Sequence, residues 1–280
     1  MIDAHHHLWD PEVREYGWLA GDALAPIRRP YRVDDLRTKA KESGVDGTVL
    51  VQTVSDIAET VDFLAVADAN RDLILGVVGW LDLTAPDVAG TIAALRAEPG
   101  GDRLVGIRHQ AQDEEDPAWL ARPDVLRGLA AIADAGLVYD LLVLPHQLES
   151  SITAVTEVPQ GRYVLDHAAK PPIATGEREP WAGLLRELAA QPNVACKLSG
   201  LVTEANWTQW TVDDIRPYAD IVLDAFGPAR VLFGSDWPVC ELAADYPGVT
   251  DLARELCAGL SEADQAAVFA DNARSWYRLG

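Results

Sequence analysis

Short runs of β-branched and aliphatic residues recur along this chain, and each is followed by a stretch in which apolar residues return every three or four positions. The first pattern is that of a strand, the second that of a helix with one buried stripe. The runs that read as strands are IDAHHHLW (Ile2–Trp9), GTVLVQTV (Gly47–Val54), LILGVVGWL (Leu73–Leu81), RLVGIRH (Arg103–His109), LVYDLLVL (Leu137–Leu144), RYVLDH (Arg162–His167), NVACKLSG (Asn193–Gly200) and RVLFGSDW (Arg230–Trp237). Between them lie amphipathic stretches such as AETVDFLAVADANR, APDVAGTIAALRAE, RPDVLRGLAAIADAG and PWAGLLRELAAQ, several opening on Pro or Asp as helix starts do. A strand-then-helix alternation repeated eight times predicts an α/β fold closed into a (β/α)8 TIM barrel. No repeat, low-complexity tract or break in composition interrupts it, so residues 1–280 are expected to form a single domain. The last helix is expected over SEADQAAVFADNARSWYRL, with Ser261 and Asp264 as its N-terminal cap.

In such a barrel, chemistry collects at the C-terminal ends of the strands. The reactive residue types of this chain fall there. Strand one ends in His5, His6, His7 and Trp9, strand two in Gln52, strand three in Trp80 and Asp82, and strand four in Arg108 and His109. Strand five runs out into His146, strand six into Asp166 and His167 with Lys170 just beyond, strand seven into Lys197, and strand eight into Ser235, Asp236 and Trp237. All 6 histidines lie at or just past an expected strand end, a confinement that scattered surface residues would not show.

Three histidines near a start methionine also suit the remnant of a purification tag, but IDA before them and LW after them make a strand. On an extended strand His5 and His7 share a face, while Ala4, His6 and Leu8 take the other, so His6 is expected only to pack. Two imidazoles side by side suit a divalent metal, or hydrogen bonds to a carbonyl oxygen. Barrel closure would bring Asp236 of the last strand beside them. The competing role for Asp236 is a helix cap before Pro238. Trp9, Trp80 and Trp237 are candidate aromatic platforms for a ligand, and Gln52, Arg108, His109, His146 and Lys197 candidate polar contacts to it. Trp181 and Trp276, inside helices, read as core.

These residues together resemble the amidohydrolase superfamily: H-x-H on strand one, histidines at strands five and six, and an aspartate at strand eight. IDAHHHLWD, VGIRHQ, LLVLPHQL, VLDHAAKPP, CKLSGL and LFGSDWPVC resemble its branch of sugar-lactone and pyrone-lactone hydrolases, from residue 2 to about residue 240. The resemblance implies a hydrolase that opens a sugar-derived lactone such as L-fuconolactone or L-rhamnonolactone with an activated water. It implies a central site of His5, His7, His167 and Asp236, with His146 a further candidate ligand, holding one divalent metal, Zn²⁺, or none. Asp236 would serve as base and then acid, alongside His167 and Arg108. Binuclear members carry a bridging lysine at strand four, where this chain reads GIRHQ, so a two-metal centre is not expected. Two other activities stay open: decarboxylation or amide hydrolysis on similar residues, and a silent barrel that only binds a sugar acid, against which a retained Asp236 argues.

Charge narrows the partners. A formal net charge of -21 opposes binding to nucleic acid or to an anionic membrane, leaving a small molecule as the expected partner and self-association into a homo-oligomer compatible with it. Cys196, Cys240 and Cys257 are odd in number and widely spaced, which suits a reducing cytoplasm better than a disulfide framework, and no basic-then-apolar leader opens the chain.

Overall fold

The computed structural model describes all 280 residues. Eight parallel strands follow one another in chain order: β1 (Ile2–His6), β2 (Gly47–Val51), β3 (Ile74–Gly79), β4 (Leu104–His109), β5 (Val138–Leu141), β6 (Arg162–Leu165), β7 (Val194–Leu198) and β8 (Val231–Phe233). The barrel closes between its ends, where Asp236 N donates to His5 O (2.8 Å) and His7 N to Trp237 O (2.7 Å). The strands are shorter than the apolar runs that signal them. β8 is only three residues long; past Phe233 the chain turns out to form the mouth, and Ser235, Asp236 and Trp237 meet β1 through single bonds and an isolated bridge at Trp237.

Helices α1 (Val33–Glu42), α2 (Ile57–Ala69), α3 (Val88–Ala97), α4 (Pro123–Asp134), α5 (Leu148–Glu157), α6 (Trp181–Ala189), α7 (Val212–Phe226) and α8 (Tyr246–Leu256) form the outer ring. Their starts follow from local chemistry. Asp56, Asp87 and Asp245 each accept a bond from a first-turn backbone N–H, and Pro123 opens α4 where its missing N–H costs nothing. None of the helices is long and apolar enough to cross a membrane.

Beyond Ser261, which accepts from Asp264 N at 3.1 Å, the expected single helix is divided. α9 (Glu262–Ala266) passes through one π-helical turn, Ala267–Asp271, into α10 (Asn272–Tyr277). That turn lets the chain wrap beneath the barrel, where Ala273, Trp276, Tyr277 and Leu279 pack on Ile2, Val49, Val138, Val164, Ala195 and Leu232. The barrel is therefore plugged from its N-terminal end, and its open end is the other one.

Candidate active site

The register of β1 against β2 slips by one residue between Asp3 and His6. Ile2 and Ala4 face the barrel interior. Asp3 faces outward, where Ser235 and the Tyr246 hydroxyl donate to it. Without the slip, His5 and His7 would follow Asp3 outward. The extra residue re-aims them, as a β-bulge does, so Ala4 and His5 both face inward and the expected strict alternation fails at that step. His6 then points away from the mouth, fully buried, with neither ring nitrogen bonded.

His5 Nε2 and His7 Nε2 lie 3.1 Å apart. Asp236 Oδ1 is 3.6 Å from His7 Nε2, 3.8 Å from His5 Nε2 and 3.8 Å from His167 Nε2. All four side chains are buried. His7 Nδ1 rests on Val51 O (2.8 Å) and His167 Nδ1 on the Ser199 hydroxyl (2.9 Å), which fixes both rings. Burial pushes His5, His7 and His167 below the usual histidine range, His167 to about 4, so all three imidazoles are neutral at pH 7. Burial alone would raise Asp236, but His167, the bond from His7 and the charge of Lys170 outweigh it and hold the carboxyl below its ordinary value.

His167 is delivered by a strained segment. His167, Ala168, Ala169 and Lys170 all have φ between 50° and 58°, a left-handed turn that costs L-residues roughly 1–2 kcal/mol each. The Trp181 indole donates to Ala168 O at 2.7 Å and Lys170 N to His167 O at 2.8 Å, holding it in place. Two glycines leave room around the cluster: a Cβ on Gly234 would sit 2.7 Å from His5 Cβ, and one on Gly200 2.5 Å from His167 Nδ1. Asp236 itself is left-handed, at φ 57°.

Behind the imidazoles lies a layer of buried charge. Arg108 Nη1 pairs with Asp166 Oδ2 at 2.9 Å and approaches His5 Nε2 at 3.3 Å, while Gln52 accepts from its other nitrogens. Lys197 Nζ sits 2.5 Å from Asp140 Oδ2, 2.9 Å from Asp166 Oδ1 and 3.0 Å from His5 Nδ1. The Tyr277 hydroxyl, from α10, donates to Asp140 at 2.8 Å. Burial raises Asp140 to about 6 despite Lys197, whereas Lys197, His5 and Arg108 overcome burial at Asp166 and hold it well below the usual range. The layer balances two carboxylates with two cations, the condition under which charges are tolerated so deep.

Above the cluster opens a cavity of about 310 Å³, lined by His7, Arg108, His167 and Asp236. The other residues named as candidates lie elsewhere. Trp9 donates to Ile27 O and packs edge-on against Trp18 and Tyr31, and Trp237 donates to Glu241 and packs on Tyr31, so both are wall fillers beneath the long loop after β1. Trp80 donates to His109, which stacks on Trp119 and bonds Glu114, outside the cavity lining. His146 is exposed on the turn after β5 and touches none of the cluster. Gln52 and Lys197 are fully buried supports of Arg108 and His5 instead of ligand contacts. The cavity wall comes instead from loops: Trp18, Gln110, Gln112, Lys170, Glu204 and Trp207. Of the buried anions of the supporting layer, Asp166 stood out in the sequence only as a reactive residue at the end of strand six, without a role, and Asp140, inside an apolar run, not at all.

The donor set suits a metal ion. Tetrahedral zinc with ligands near 2.0–2.1 Å has ligand-to-ligand edges of about 3.4 Å, close to the separations of His5, His7 and Asp236. Those three, and separately His5, Asp166 and His167, form compact buried groups whose ligand atoms lie within 4.8 Å of one another.

A parallel barrel that gathers neutral imidazoles, an arginine and a buried carboxylate at the C-terminal ends of its strands belongs to the class of (β/α)8 hydrolases. This chain belongs to the amidohydrolase family, whose pattern matches residues 2–279. It is 39% identical over 289 residues to an L-fucono-1,5-lactonase of Burkholderia multivorans, covering 99% of this chain and 96% of that one. Crystal structures of a Burkholderia multivorans amidohydrolase superpose on it with TM-scores of 0.93 with HEPES bound and 0.92 with zinc bound, at 38% and 37% identity, covering 100% of this chain and 99% of theirs.

Proposed function

We propose that the protein hydrolyses a sugar-derived lactone, L-fucono-, L-rhamnono- or a related aldonolactone, by attack of an activated water on the lactone carbonyl. The observation that carries this reading is Asp236: a buried carboxylate held in its ionised form, within 3.8 Å of three neutral imidazoles, at the base of a cavity sized for one small ring. The lactonase name of relatives near 40% identity points the same way.

Asp236 takes the proton of the attacking water as the new C–O bond forms. His167 is the adjacent imidazole, locked by Ser199, that steadies the charge on Asp236. Arg108, anchored by Gln52 and Asp166, presents positive charge to the carbonyl oxygen as it becomes an oxyanion. Trp18 and Trp207 offer flat apolar surface to the sugar ring, the part first expected of other tryptophans. A single Zn²⁺, if bound, would be held by His5, His7 and Asp236 with His167 beside them, and would polarise the carbonyl or lower the pKa of a bound water.

The test is a panel of aldonolactones with acid release followed by a pH indicator, on protein purified without an affinity tag and analysed for metal. Ring opening of at least one sugar lactone well above the spontaneous rate is expected. Release of acid from none of them, or turnover only of an aromatic acid or an amide, would overturn the reading.

A further inference from the structure

Ring opening needs a second proton transfer. Once water has attacked and Asp236 holds its proton, the ring C–O bond breaks and the oxygen that leaves is an alkoxide, far more basic than any carboxylate. We propose that Glu204 is the acid that protonates this leaving oxygen. The proposal rests on the lactonase reading above and adds to it a residue with its own role.

Glu204 ends the turn Val202–Glu204 that follows β7, and this turn packs against the turn Val239–Leu242 that follows Asp236. The two carboxylates thus come from neighbouring positions around the mouth and line the same cavity. The turn is fixed: the Thr203 hydroxyl donates to Gly200 O at 2.8 Å, the Trp207 indole donates to Thr203 O at 2.8 Å, and Gly200 backs directly on the His167 ring. Yet the carboxylate of Glu204 itself receives no protein hydrogen bond and no ion pair; only burial and the charges of Lys170 and Asp236 act on it. Of the other ionisable groups on the packed elements, Glu241 is committed to Tyr31 and Trp237, Cys240 is fully buried and His167 is held by Ser199. A partly buried acid left free on a fixed turn, facing the cavity, is free to bond a ligand.

Environment favours the protonated form of Glu204. Burial raises it, against the charge of Lys170 and with that of Asp236. A carboxyl raised by burial suits the role of acid. Asp236 is poorly placed to do both jobs, since its backbone is pinned by bonds to His5 O and Cys240 N and its side chain is hemmed by three imidazoles.

The protons balance. Water loses one to Asp236 as its oxygen bonds the carbonyl carbon, Glu204 gives one to the departing ring oxygen, and the product is the hydroxy acid. Asp236 then releases its proton to solvent, Glu204 regains one, and the product carboxyl ionises, leaving the net proton that the indicator reads.

The deciding variant is Glu204→Gln, which keeps the shape and loses the acid. Its kcat on the best aldonolactone should fall about 10²–10⁴-fold with KM within about threefold of the parent. The alkaline limb of its kcat profile should vanish, and Glu204→Asp should restore part of the rate. Dihydrocoumarin, whose leaving phenolate needs no proton, should be opened equally by parent and E204Q; if the parent refuses this substrate, the pH limb and the Asp rescue decide. An unchanged kcat, a rise in KM alone, or equal loss on both lactones would overturn the assignment while leaving the lactonase intact. A parent enzyme that opens no lactone at all would overturn both.

Discussion

Two layers of the barrel interior sit one step apart on the same strands and could hardly differ more. Val138, Val164 and Ala195 lie in the apolar floor; two residues further along each strand stand Asp140, Asp166 and Lys197. The floor is sealed by Trp276, Tyr277 and Leu279 and has no polar duty beyond the Tyr277 hydroxyl. The layer above is built on buried charge, yet as tightly specified, because each group there exists only by virtue of its partners. A floor residue is chosen by volume, whereas a residue of the charged layer is chosen by complementarity. The mouth, one level higher, adds the chemistry that borders the cavity and that neither lower layer can carry.

The largest effect should come from the mouth. Asp236→Asn should lower kcat on the preferred lactone by about 10²–10⁴-fold with the fold intact by circular dichroism, since it removes the base while keeping the side-chain shape. Turnover surviving that change would show that another group takes the proton. One layer down, Lys197→Met leaves Asp140 and Asp166 without their shared cation, and urea unfolding should report a loss of about 3–5 kcal/mol. A loss below 1 kcal/mol, as an exposed pair gives, would erase the distinction between the two layers.

The pH dependence of stability sharpens the same contrast. His167 is depressed to about 4 in the folded protein and takes up its proton near 6.5 when unfolded, so its contribution is intact above 6.5 and is lost as the pH falls toward 4. That amounts to about 3 kcal/mol, and His167→Asn should flatten the slope of unfolding free energy between those pH values. The smallest effect belongs to His146→Ala. Exposed and apart from the cluster, it should leave both kcat and stability unchanged, and a tenfold loss of activity would place this histidine in the site after all.

The barrel was legible in the sequence because period-two apolar runs and helical stripes alternate without interruption, and even the short β8 carried the signal in VLF. The shared face of His5 and His7 was legible too, from alternation alone. What alternation cannot reveal is the bulge that turns this face inward, since that depends on how β1 registers against β2. The tryptophans misled for a related reason: a strand end names a height in the barrel, and whether an indole there meets the cavity or the back of a loop is decided by a loop with no periodicity. Trp18, Gln112 and Glu204 lie on such loops and carried no pattern to read. Lys197 was legible only as a strand-end candidate, because its partner Asp140 stands two strands away, on β5.

The Tyr277 hydroxyl reaches Asp140, Asp140 holds Lys197, and Lys197 touches His5, so residues near the two ends of the chain meet within one buried file. During synthesis this has an unusual corollary. A nascent polypeptide that stops short of Tyr277 can assemble every strand and still lack the last member of the file that braces its first histidine. Competence of the mouth is thereby tied to the docking of α10, and a copy lacking Tyr277 should betray itself by a slack first strand before it ever meets a substrate.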